Sequence, residues 1–130
     1  MRKVLILLAI VALAAIACMA LIPVNITDAD NGKTIDVLRF RTINLSLASN
    51  PTTGYSWKLI SPIDRRVLRL YYSKYIPIPV PAKLVGSGGH EEWKFRAMAP
   101  GTAVVKTIYI RSWEGQTPPV KTFTVTIRVK

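Results

Sequence analysis

The residues of this chain that could do chemistry are few, and their types suit recognition rather than bond-making. His90 is the only histidine and Cys18 the only cysteine in 130 residues, and Cys18 lies within an apolar N-terminal run. No cluster of His, Cys or carboxylate residues has the spacing of a zinc site, and no nucleophile-elbow motif sets a serine beside His90. Nucleophilic, metal-based and redox mechanisms lack their parts, so no cofactor or metal is implied and no enzymatic activity is expected. His90 reads as a surface residue at a strand start. Three short stretches remain, each between two strand patterns: Asn50-Pro51-Thr52-Thr53-Gly54-Tyr55, Gly86-Ser87-Gly88-Gly89 and Arg111-Ser112-Trp113. Loops of unusual composition on a rigid scaffold are where binding commonly resides.

In the first stretch Pro51 fixes its own φ and restricts Asn50, while Gly54 can take positive φ without a Cβ clash. The result is either a stiff tip presenting two threonine hydroxyls or an ordinary connector with Tyr55 and Trp57 facing inward. Asn50 is no glycosylation acceptor, because proline holds the middle position of its tripeptide. The glycines of the second stretch allow close backbone approach, hence edge-on pairing with an extended partner or a simple turn. No strand-then-helix context makes it a phosphate loop. In the third, Arg111 and Trp113 are residue types enriched in binding hot spots. The competing arrangement folds Trp113 back on the domain and pairs Arg111 with Glu114.

The elements that must hold these loops are strands. Ile43, Leu45 and Leu47 alternate with Asn44, Ser46 and Ala48, and Phe123, Val125, Ile127 and Val129 alternate with Thr122, Thr124, Thr126 and Arg128. Further candidates run over 35–40, 55–60, 67–72, 92–98 and 102–111, each bounded by turn-forming residues. No amphipathic helical stretch competes. The pattern predicts an all-β fold, an immunoglobulin-like antiparallel β-sandwich with about seven strands. The domain has no cysteine, so its stability must come from strand packing. Three prolines bar Ile76-Pro77-Ile78-Pro79-Val80-Pro81 from a central strand, and with Ala82 to Gly89 they form a long excursion.

Ahead of the sandwich, Arg2 and Lys3 precede an apolar run from Val4 to Ile22. Such a run is either a signal peptide, cut after Ala17 or Ala20, or an uncleaved membrane anchor, since about 20 apolar residues span a bilayer as a helix. Cys18 is either an inert hydrophobe or a lipid-attachment site. The organisation expected is 1–22 signal peptide or anchor, 23–33 linker, a stretch that also reads as a loose first strand, and 34–130 sandwich. The protein is placed outside the cytoplasm as secreted, periplasmic or outer-surface, with membrane association through residues 4–22 if the leader stays. The net charge is +11. Its densest run, Arg65, Arg66, Arg69 and Lys74 interleaved with Tyr71, Tyr72 and Tyr75, fits a solvated strand face. No nucleic-acid motif frames these charges, so no nucleic-acid partner is expected.

In order and spacing the three loops resemble those of the chagasin family, inhibitors of papain-like cysteine peptidases. That family carries an Asn-Pro-Thr-Thr-Gly-Tyr/Phe loop, a Gly-x-Gly-Gly loop and an Arg-Pro-Trp loop, matched here at Asn50 to Tyr55, Gly86 to Gly89 and Arg111 to Trp113. Trp57, Phe95-Arg96-Ala97, Ala99-Pro100-Gly101 and Tyr109 agree as flanking residues. The resemblance spans about Ile35 to Val129. It implies a monomeric tight-binding inhibitor whose loops form a wedge in the peptidase cleft: Thr52 and Thr53 over the catalytic centre, Gly86 to Gly89 along the substrate groove, Arg111 and Trp113 bracing the far side. Ser112 departs from the family's proline and frees a φ that proline would fix, which predicts a less preorganised third loop. An adhesion or envelope module without inhibitory activity is the other reading of an exported basic sandwich.

Overall fold

The computed structural model describes residues 1–79, 88–115 and 117–130. One helix, α1 (Arg2–Leu21), precedes the strands β1 (Val24–Thr27), β2 (Thr34–Val37), β3 (Thr42–Ser49), β4 (Ser56–Leu59), β5 (Leu68–Pro77), β6 (Gly89–Ala97), β7 (Gly101–Ile110) and β8 (Lys121–Val129). They form two four-stranded sheets, ordered β1-β3-β6-β5 and β2-β8-β7-β4. Alternation decides the core. Ile43, Leu45 and Leu47 of β3 are buried, as are Trp93 and Phe95 of β6, while the second sheet buries Val105, Phe123, Val125 and Ile127. Each such side chain removed from water stabilises the fold by about 1.5–3 kcal/mol.

Two expectations are corrected. There are eight strands among the described residues rather than about seven, and the sandwich is not purely antiparallel, because β1 runs parallel to β3 and β2 parallel to β8. Both parallel pairs place a four-residue strand at a sheet edge. Alternation along a strand reports which face is buried, not which way its neighbour runs. β1 lies inside 23–33, so of the two readings of that segment the first-strand one holds for Val24–Thr27, and the sheet begins before residue 34.

The proline-rich excursion also starts later than its composition implies, since β5 continues to Pro77. An edge strand tolerates that proline because one side of its ladder needs no donor. Beyond Leu68 most of β5 is exposed, including Arg69, Tyr71, Tyr72, Lys74 and Tyr75.

The register gives the sandwich two ends. At one, Ser49 pairs with Gly89, Gly89 with Pro77, and Ser56 with Ile110. At the other, Thr42 pairs with Arg96, Leu68 with Ala97, and Gly101 with Val129. The chain enters from α1 at this second end, where Val24 lies beside Ile43 and the Ile22 carbonyl accepts bonds from Arg41 Nε (3.1 Å) and Nη2 (2.5 Å). The core runs from Ile26 to Val129 and, among the described residues, takes none from α1. Val4, Leu5, Ile6, Leu7 and Leu8 are exposed. Among the described residues no helix is long and apolar enough to cross a membrane.

Candidate functional site

The first and third loops meet at the end opposite α1, and the C-terminal glycines of the second join them there. Pro51–Thr53 form a single turn of 3-10 helix capped by Asn50, whose side-chain oxygen accepts from Thr52 N (3.3 Å) and Thr52 Oγ1 (2.5 Å). The Asn50 carbonyl accepts from Thr53 N (3.2 Å) and Thr53 Oγ1 (2.6 Å), and the Pro51 carbonyl from Gly54 N (2.9 Å). Gly54 closes the turn at φ 82°. Both carbonyls that lead into the tip are thus tied within the loop, while Pro51, Thr52 and Thr53 stay exposed.

The third loop is fastened onto the first. Arg111 Nε donates to the Thr53 carbonyl at 3.1 Å, its guanidinium lies 4.3 Å from the centre of the Tyr55 ring, and its Nη1 pairs with Glu114 at 3.1 Å. The Trp113 indole packs against Gly54 so closely that a Cβ there would collide with its six-membered ring. Trp113 nonetheless remains 70% exposed. Both sequence readings of this stretch hold in part: Arg111 does pair with Glu114, and Trp113 does present itself to solvent. Ser112 opens a 3-10 turn, Ser112–Glu114. At that first position proline is favoured because its missing N–H needs no partner, so serine costs the turn little. The loop is held instead by the side chains on either side of Ser112.

Of the second loop, Gly86 and Ser87 lie outside the described residues. Gly88 has φ 73°, and a Cβ there would press on the Ser49 carbonyl and on Asn50. Gly89 opens β6 where a Cβ would strike the Ile76 carbonyl and Pro77. These two glycines let the second loop approach the root of the first. His90 follows as the second residue of β6 and is half-buried.

Beneath the loops lies a layer whose aromatic residues, Tyr55, Trp57 and Tyr109, the sequence singled out but whose hydrogen bonds it did not. Tyr109 Oη accepts from Asn50 N (3.0 Å), and its ring stacks on Tyr55 (5.3 Å) and tilts against Trp57 (5.0 Å). One oxygen of Glu91, Oε1, accepts from Ser49 Oγ (2.8 Å) and from Trp57 N (3.0 Å), while Trp57 Nε1 donates to the Ala48 carbonyl (2.9 Å). Residues of β3, β4, β6 and β7 are thereby joined below the tip. The signal for Tyr109 was its place in an alternating strand. Glu91 carried none, because its partners are distant in sequence.

With the loops converging on one end of an all-β sandwich, a further observation settles the family. Residues 37–127 match the family described as "Chagasin family peptidase inhibitor I42". The chain belongs to the chagasin family. Chagasin of Trypanosoma cruzi is 32% identical over 107 residues, covering 80% of this chain and 96% of that protein. The cysteine protease inhibitor EhICP2 of Entamoeba histolytica has the same fold, with TM-score 0.72, 23% identity, 82% of this chain covered and 95% of that one. ICP of Leishmania mexicana superposes with TM-score 0.60 at 29% identity, covering 78% and 90%. Chagasin relatives are protease inhibitors, not enzymes.

Proposed function

We propose that the chain is an exported, reversible, tight-binding inhibitor of papain-like cysteine peptidases that inserts its three loops into the active-site cleft. The observation that carries this reading is the interlocking of the first and third loops by Arg111 and Trp113, with Thr52, Thr53 and the indole left exposed at the tip. A partner would meet a surface already ordered, so little entropy is lost on binding. The tip resists being turned over for a geometric reason. Cleavage needs a peptide presented in an aligned near-attack geometry, whereas Pro51–Thr53 is coiled, with the Pro51 carbonyl bonded to Gly54 N and the Thr53 carbonyl to Arg111.

The decisive experiment titrates papain with the domain lacking residues 1–21. Trp113→Ala should weaken inhibition about 30-fold, and Thr52→Ala combined with it further, in keeping with hot-spot truncations of 2 kcal/mol or more. A folded domain that fails to inhibit at micromolar concentration would sink the reading. For the leader we infer export, supported by Arg2 and Lys3 ahead of an apolar helix that, among the described residues, contributes nothing to the core. Intact mass of the protein from soluble and membrane fractions distinguishes cutting after Ala17 or Ala20 from retention as an anchor.

A further inference from the structure

The leader end carries a second surface that the inhibitory loops do not explain. Phe40, in the turn between β2 and β3, has φ 69° and is the one non-glycine residue with positive φ among the described residues. Bulky side chains rarely adopt this conformation, and where they do the surroundings impose it, often at a functional site. Here Phe40 N donates to the Ala97 carbonyl (2.8 Å) and Arg41 N to the Leu38 carbonyl (3.3 Å), which fixes the turn. The turn gains no burial from this: Phe40 is 53% and Leu38 60% exposed.

Cations surround the exposed ring. The guanidinium of Arg39 lies 4.6 Å and that of Arg96 5.8 Å from its centre. Arg39 and Arg41 bond to the Met98 and Ile22 carbonyls, contacts that hold the side chains without neutralising them. Beside Arg96, a depression of about 320 Å³ is lined by Thr42, Tyr71, Tyr72 and Lys94. All seven side-chain carboxylates of the chain have partners, and one of them, Glu92, is held by the Tyr72 that lines this depression. Asp28 accepts from Ala48 N, Asp30 from Thr27 N, Asp36 from Arg128, Asp64 from Arg66, Glu91 from Trp57 N, Glu92 from Tyr72 Oη and Glu114 from Arg111. Among the described residues no side-chain carboxylate forms an ion pair with Arg39, Arg41 or Arg96.

We propose that the turn Leu38–Arg41, with Arg96 and Lys94, docks on an anionic lipid surface, Phe40 and Leu38 entering the headgroup layer while the arginines meet phosphates. Two observations select lipid over another polyanion. Apolar side chains project between the cations, the pairing that gives peripheral membrane binding both its affinities. The patch also lies where the chain arrives from the apolar α1, through the bond from Arg41 to Ile22. The docking does not depend on α1 spanning the bilayer, nor on the loops inhibiting a peptidase.

The test uses the domain lacking residues 1–21 in co-sedimentation with phosphatidylcholine vesicles, with and without phosphatidylglycerol. Binding is expected to the anionic vesicles only. It should weaken about fivefold for each of Arg39→Gln and Arg96→Gln, from the roughly 1 kcal/mol that each basic residue gains near such a surface. Phe40→Gly should keep or raise the melting temperature, since glycine accepts positive φ, yet lower vesicle binding severalfold. Equal binding to neutral vesicles, anionic binding that none of these substitutions alters, or binding to heparin without binding to vesicles overturns the proposal.

Discussion

At the loop end of the sandwich the arginine of the third loop has a carboxylate partner. Arg111 is matched by Glu114, and Glu91 is turned inward onto Ser49 and Trp57. At the leader end Arg39, Arg41 and Arg96 face only carbonyls and an aromatic ring. The backbones differ in the same sense. Positive φ at the loop end falls on the glycines Gly54, Gly88 and Gly115, residues that take it freely, whereas at the leader end it falls on Phe40 as well as on Gly101. One small fold thus separates a surface defined by shape from one defined by charge.

The change expected to break this contrast most sharply is Gly54→Ala. It places a Cβ at φ 82° and against the Trp113 indole, so the first and third loops must part. Inhibition should fall about 100-fold while vesicle binding is kept, given how strongly centrally placed hot-spot residues act. Paired titrations of one protein sample read both. A smaller effect, touching neither end, is expected at Thr107. It is buried in β7, and among the described residues its Oγ1 has no hydrogen-bond partner. Thr107→Val should raise stability by about 1 kcal/mol, because the desolvated hydroxyl is removed. Denaturant melts check it, with inhibition and lipid binding as unchanged controls.

The smallest effect belongs to the leader end. Hydrogen bonds from Arg128 and Lys130 lower the pKa of Asp36 from 3.8 to about 2. A lowered carboxylate pKa means that the folded state holds the proton less tightly than the unfolded chain. The stabilisation from this exposed pair is therefore full above about pH 4 and is lost as pH falls towards 2. Following the Asp36 carboxyl by NMR should show the low midpoint, and Arg128→Ala should move it back towards 3.8.

Much of the loop end was legible in the sequence because its information is local. Asn50, Pro51 and Gly54 each constrain the backbone at their own positions, and the structure forms the turn they imply. The eight strands were legible wherever alternation ran long, as in β3 and β8, and poorly where four residues sit between turn signals, as in β1. What could not be read was long-range. Glu91 and Tyr109 reach loop residues only after β6 and β7 have taken their places. Phe40 looked like the end of a strand, since nothing in its type announces positive φ.

The Glu91 and Tyr109 layer bears on how far this binding surface can be transplanted. A graft that carried only the three loop sequences onto another sandwich would leave behind the hydroxyl that holds Asn50 N and the carboxylate oxygen that joins Ser49 to Trp57. The portable unit is the tips together with those two residues and the indole of Trp57, a footing drawn from three strands rather than from the loops themselves.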